Sequence, residues 1–130
     1  MTTNAELTGQ TIAVTGANSG IGLAATAALS AMGATVIMVC RSPQRAAAAR
    51  DSVLATQPNG SIEIAQIDLS SLDSVRQGSA ALLERHDKIH GLINNAAIWL
   101  PQRTQTEQGT EAMWATNVLG PFLLTERLLP

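Results

Sequence analysis

Residues 10–22 read QTIAVTGANSGIG, and the fold turns on how they are parsed. Gln10 to Thr15 is a short run rich in β-branched and apolar residues, the composition of a buried strand. It runs straight into a turn with glycines at 16, 20 and 22. Each glycine has its own physical use: Gly16 allows a tight turn, Gly20 lets another group approach the backbone, and Gly22 lets a helix pack closely on the strand. Ile21 to Met32 is then rich in Ala and Leu and is stopped by Gly33, which predicts a helix. A helix that starts at such a turn aims its unbonded N–H groups and positive dipole end at the turn, a setting that suits a phosphate.

The same alternation continues downstream. Ala34 to Cys40 (ATVIMVC) is apolar throughout, as expected for a strand covered on both faces. Pro43 to about Thr56 predicts a helix, with Ser42 as its N-cap and Pro43 in first position. Pro58-Asn59-Gly60 breaks it. Ser61 to Ile67 predicts a third strand, and Ser71 to Arg85 a helix with Leu72, Val75, Leu82 and Leu83 on its inner face. Asp68 and Ser70 are candidates to cap that helix. Gly91 to Ala97 (GLINNAA) predicts a fourth strand, and about Glu107 to Leu129 one long final helix. Strands joined by right-handed helical crossovers give a doubly wound α/β fold with parallel order 3-2-1-4. Ligands of such sheets bind outside the carboxyl ends of the strands, where the order reverses.

Composition removes several function classes. Apolar residues make up 45% and charged residues 14% of the 130, too apolar for a disordered chain. The net charge of −2 supplies no basic field for nucleic acid or an anionic membrane. No apolar run approaches the ~20 residues of a membrane span. Met1 to Gln10 is polar and lacks the core of a secretion signal. The single cysteine, Cys40, offers no intramolecular disulfide and reads as an inert core thiol. These features lead to the expectation of one cytoplasmic domain over residues 1–130. His86 and His90 are spaced for a metal on a helix, but the adjacent Asp87-Lys88 and Gly91 predict a polar loop and no metal site.

Asn117 and Pro121 form a separate pattern. Asparagine has no advantage inside a helix, and proline four residues on has no N–H to give the Asn117 carbonyl. A kink with a free carbonyl is expected there.

The block TGANSGIG (Thr15–Gly22), the run Asn94-Asn95-Ala96-Ala97 and Asn117 together resemble the short-chain dehydrogenase/reductase family, in order and in spacing. Residues 103–130 (RTQTEQGTEAMWATNVLGPFLLTERLLP) are similar to its retinol-dehydrogenase-like branch. Ala97 departs from the glycine of the family's NNAG motif. The resemblance covers nearly the whole chain and implies a Rossmann fold binding a nicotinamide dinucleotide, with Gly16, Asn18, Ser19, Gly20, Ile21 and Gly22 around its phosphates. It implies that Asp68 and the Leu69 N–H hold the adenine, that Asn94 steadies the central strands, that Ala96 lies against the ribose, and that Ala97 keeps its place at the cofactor with a modest backbone adjustment. It implies that Asn117 is the catalytic-site asparagine whose helix break holds a water in a proton relay. Trp99 and Leu100 would line the nicotinamide or substrate side. Trp114 and Phe122 would be core or subunit contacts, which leaves a homo-oligomer open.

Cofactor choice rests on the residues after strand two. A site for NAD(H) places an acid there to bond the 2′-hydroxyl, whereas arginine suits the 2′-phosphate of NADP(H). Val39-Cys40-Arg41-Ser42 has no acid, and Arg41 can fork two donors onto a phosphate, with Ser42 and Arg45 nearby. The expected function is an NADP(H)-dependent oxidoreductase moving a hydride between nicotinamide and a carbonyl or alcohol substrate. A non-catalytic NADP(H)-binding module or redox sensor is the alternative, and an interaction protein without cofactor a weaker third. The family's chemistry needs a serine, a tyrosine and a lysine beyond the motifs above, and the 130 residues contain no tyrosine. The chain is therefore expected to be an incomplete form, truncated before strand five and inactive by itself.

Overall fold

The computed structural model describes residues 6–130; the first half of the polar stretch Met1 to Gln10 lies outside the described residues. The chain divides into two compact units, Met1–Gln66 with Lys88–Asn95, and Ile67–Asp87 with Ala96–Pro130.

The first unit holds a parallel sheet of β1 (Thr11–Thr15), β2 (Thr35–Cys40), β3 (Ser61–Gln66) and β4 (Gly91–Ile93) in the order β3-β2-β1-β4, with helices α1 (Gly20–Ala31) and α2 (Pro43–Thr56). This is the Rossmann order expected from the alternation of strand and helix. Ile12, Val14, Val36, Met38 and Cys40 pack with Ala46 and Ala49 of α2, and with Leu23 and Leu29 of α1 beside them. Ala13, Ile37 and Val39, which point the other way along the strands, are also buried, which explains the unbroken apolar run of β2. The residues of α1 that are buried are small: Gly22, Thr26 and Ser30. Ser42 caps α2, its Oγ accepting from the Arg45 N–H at 3.3 Å, and Pro43 opens the helix as predicted.

The fourth strand is shorter than predicted. It ends at Ile93 and not at Ala97, because Asn95 leaves the ladder to bond β1 with its side chain. At the strand's other end the predicted polar loop is tied to the start of β1: His90 Nδ1 accepts from the Thr11 N–H at 3.0 Å, and the His90 N–H donates to Thr11 O at 2.8 Å.

The second unit contains α3 (Leu72–Arg85), the single turn α4 (Ala112–Trp114), a π-helical turn over Ala115–Leu119, and α5 (Gly120–Leu128). Helix α3 packs along α5, and the Arg127 Nε donates to Ser79 Oγ at 2.9 Å. The buried stripe of α3 is Val75, Ser79 and Leu82; Leu83, predicted to face inward, is 45% exposed because it lies about 100° around the helix from Leu82. The cap of α3 is Ser71, which accepts from the Ser74 N–H at 3.2 Å, and not Asp68 or Ser70.

The predicted long last helix also starts later and is not uniform. Glu111 begins it by accepting from the Met113 and Trp114 N–H groups at 3.1 and 2.7 Å. The stretch before it is a turn bridged by Gln105 and Glu111, with Gly109 at φ 79°. The break expected ahead of Pro121 is a widening: in the π turn the Gly120 N–H reaches back five residues to the Ala115 carbonyl. Trp114 and Phe122, expected in a core or a subunit contact, are 53% and 68% exposed, so they are not core residues.

Candidate functional site

The first unit gathers the predicted phosphate-binding residues at the carboxyl ends of β1 and β2. Gly16 takes φ 61° and its N–H donates to Val39 O at 3.0 Å, which turns the chain sharply off β1 and ties the turn to β2. Gly22 is fixed by space: a Cβ there would fall 2.2 Å from Gly16 O and 2.6 Å from Asn95 Nδ2. Gly20 differs from both. It has φ 53°, yet nothing lies within 4 Å of where its Cβ would be, so its bare backbone faces open space. Ser19 is the N-cap of α1 by position but makes no side-chain cap bond, and no acid stands in the helix's first turn. The first-turn N–H groups, which have no acceptor within a helix, are thereby left to face whatever lies beyond the turn. Ile21, beside them, is 81% exposed.

Below the turn, Cys40 is buried, and burial pushes its thiol above the usual range, while backbone bonds from Ala17 and Asn18 pull the other way. Its burial matches the core thiol expected from the sequence. After β2, Arg41 and Arg45 are exposed, and neither forms an ion pair among the described residues. The Arg41 carbonyl accepts from Gln66 Nε2 at 3.5 Å, which ties the backbone after β2 to the end of β3. The Ser42 hydroxyl is occupied with capping and with Gln44 Oε1 at 3.4 Å.

Sequence reasoning missed Asn95. Its Nδ2 donates to Thr15 O at 3.1 Å and Gly16 O at 3.3 Å, and its N–H donates to Thr15 Oγ1 at 3.0 Å. The Thr15 hydroxyl in turn donates to Ile93 O at 3.4 Å. These bonds of Asn95 join the end of β4 to the glycine turn; Asn94, expected to steady the strands, is exposed and makes a polar interaction of its own. The register could have separated the two: Val14 pairs with Ile93, which carries Asn95 level with Gly16.

In the second unit, Asp68 is half-buried and its Oδ1 accepts from Ser70 N–H at 2.9 Å and Ser70 Oγ at 2.7 Å. Its own N–H donates to Ser74 Oγ at 2.8 Å. Leu69 is buried, Ala96 is half-buried with a polar interaction of its own, and Ala97 is exposed. Asn117 lies in the π turn, and its amide makes a two-point bond to one residue: Oδ1 accepts from the Ile98 N–H and Nδ2 donates to Ile98 O, both at 2.8 Å. The side chain is thus committed to placing the loop that holds Trp99, which is 78% exposed. Among the described residues no three His, Cys, Asp or Glu side chains converge as a metal site would need, and no helix is long and apolar enough to cross a membrane.

This arrangement matches known proteins. Residues 10–130 fit the model of the short chain dehydrogenase family. The chain is 36% identical to retinol dehydrogenase 13 of Homo sapiens over 125 residues, which covers 96% of this chain and 38% of that one. It is 40% identical to retinol dehydrogenase 14 of Mus musculus over 131 residues, covering 93% of this chain and 39% of the other. A metagenomic short-chain oxidoreductase, solved in complex with NADP, superposes with a TM-score of 0.81 at 30% identity, over 94% of this chain and 56% of that one. The chain thus spans about two-fifths of the length of these curated relatives. With its sheet order, its glycine turn and its matched residues in agreement, the chain belongs to the short-chain dehydrogenase family, in the retinol-dehydrogenase-like branch.

Proposed function

We propose that this chain binds NADP(H) as the dinucleotide-binding part of an oxidoreductase acting on a carbonyl or alcohol substrate. The observation that carries the reading is the glycine turn: an uncapped helix start, a bare Gly20 with open space before it, and, after the neighbouring strand, an Arg41 without an ion pair among the described residues. These residues fit the group. Amides and dipole at the start of α1 suit the pyrophosphate, and Arg41, with Arg45, suits the 2′-phosphate. The relative solved with NADP supports the same choice.

The resemblance gives the adenine to Asp68 and the Leu69 N–H. Asp68 keeps its Oδ1 on Ser70, so the second carboxylate oxygen is the one it offers. When bound, the nicotinamide gives or takes the hydride that interconverts carbonyl and alcohol. Asn117, with its side chain held by Ile98, acts in this reading through its main chain in the π turn, where Pro121 cannot supply a helical N–H to its carbonyl. A cytoplasmic location is part of the same proposal.

The test is a fluorescence titration of NADPH and NADH against the parent and an Arg41→Asp variant. A charge-assisted bond to the 2′-phosphate contributes roughly 1.5–3 kcal/mol, so the parent should prefer NADPH by about 10- to 150-fold. The variant should lose that preference. Equal binding of both cofactors by the parent, unchanged in Arg41→Asp, would sink the assignment.

A further inference from the structure

Gly120 is buried in helical conformation, with φ −60° and ψ −53°. Nothing about that backbone requires glycine, and glycine is a poorer helix former than alanine. The reason for it is space. A Cβ on residue 120 would lie 2.1 Å from the Leu69 carbonyl oxygen, 2.9 Å from its carbon and 3.0 Å from its Cβ. No side chain tolerates the first of these distances, so α5 and Leu69 would have to part by about an ångström to reach ordinary contact.

Leu69 is poorly placed to yield. Its carbonyl shares one planar peptide with the Ser70 N–H, and that N–H is one of two donors from Ser70 that hold Asp68 Oδ1, at 2.9 Å beside the hydroxyl at 2.7 Å. Asp68 is fixed again by its N–H on Ser74 Oγ and by its carbonyl, which accepts from the Ser71 N–H at 3.0 Å. A push on the Leu69 carbonyl therefore tilts the very plane that aims the Asp68 carboxylate. We infer that Gly120 is a positioning residue for the cofactor's adenine: by carrying no side chain it seats Leu69 and so sets the directions of the Asp68 carboxylate and the Leu69 N–H. The inference rests on the proposed function, because it needs Asp68 and Leu69 to face the base.

The experiment compares 2′,5′-ADP with its inosine counterpart, which replaces the 6-amino group by a carbonyl and puts a proton on ring N1. Affinities are measured for the full 130-residue chain and for Asp68→Ala and Gly120→Ala. The parent should favour the adenine compound by about tenfold, the size of one or two net hydrogen bonds. Asp68→Ala should erase that ratio. A parent without the preference, or an Asp68→Ala that retains it, overturns the adenine reading itself.

Gly120→Ala should bring the ratio close to one, whereas a loosening without direction would weaken both compounds alike and leave the ratio intact. Retention of the parental ratio by Gly120→Ala, while Asp68→Ala loses it, overturns the role of Gly120 alone. A second measurement needs no variant. In parent chain labelled with 15N and 13C glycine, the Gly120 signal should shift on saturation with 2′,5′-ADP. An unmoved Gly120 signal overturns the proposal even where Gly120→Ala fails to fold.

Discussion

Helices α1 and α3 both begin after a serine with extended backbone, and they use it in opposite ways. Ser71 accepts from the Ser74 N–H and Asp73 stands in the first turn of α3, so that helix end is already satisfied by its own chain. Ser19 makes no such bond, α1 has no acid in its first turn, and Gly20 follows with a positive φ and empty space in front of it. One helix start is closed by its own chain and the other is left open. The serine does not distinguish them; the residue after it does, a glycine at φ 53° in α1 and Leu72 in α3.

The largest expected effect concerns what an open helix start cannot do. Held amides and an arginine can bind a dinucleotide, but they neither give nor take a proton, and positioned acid–base groups contribute about 10²–10⁴-fold to such reactions. With no tyrosine in the chain, the 130 residues should show only background oxidation or reduction of aldehydes, quinones and apolar alcohols, followed by NADPH absorbance. Saturable turnover that disappears in Gly20→Val would show that an open helix start and its surroundings suffice for chemistry.

Next in size, Gly20→Val should fill the empty space before α1 with a branched side chain at a left-handed position. NADPH affinity should fall by about a hundredfold or more, which is roughly 2.7 kcal/mol, while circular dichroism retains the helix and sheet signal. Unchanged affinity would mean the phosphates sit elsewhere.

The serines give a smaller and sharper test. Ser71→Ala should cost about 1 kcal/mol of stability, as lost caps do, and leave NADPH affinity unchanged. Ser19→Ala should do the reverse, with stability within a few tenths of a kcal/mol of the parent and weaker NADPH binding. Equal stability losses in the two variants would erase the distinction between a closed and an open end.

The smallest effect belongs to Cys40. Burial raises its pKa in the folded state above that in the unfolded state, so its contribution to stability is complete below the unfolded value. That contribution is lost as pH rises from there through the folded value. Denaturant titrations on the alkaline side should therefore show a decline that Cys40→Ala reduces, and the native thiol should react with a disulfide reagent far more slowly than the unfolded one. Prompt labelling of the native chain would show that the turn above Cys40 opens freely.

Most of the sheet, and the glycine turn, could be read from the residues because their signals are local. The run ATVIMVC, the Ser42-Pro43 start of α2 and the three spaced glycines each carry their meaning within a few positions. The features that escaped are bonds between residues far apart in sequence. Asn95 leaves its strand because Thr15 and Gly16, eighty and seventy-nine positions earlier, offer it acceptors. Asn117 is oriented by Ile98, nineteen positions away. The late start of the last helix depends on the Glu111 carboxylate and its bridge to Gln105, which no periodicity announces. Gly120 carries no local mark either, since its need for a bare Cα comes wholly from the Leu69 carbonyl.

The π turn over Ala115–Leu119 can also be viewed as an insertion. It holds one residue more than an α-helical register would, and it separates two anchored positions, Asn117 on Ile98 and Gly120 on Leu69. Deleting a single residue between those anchors would restore ordinary helix and change the angle between them around the helix axis. Either the amide would swing off Ile98, or a side chain would be driven against Leu69. Length in this segment is therefore constrained more tightly than residue type: Val118 and Leu119 can be exchanged for other apolar residues with modest cost, but neither can be removed.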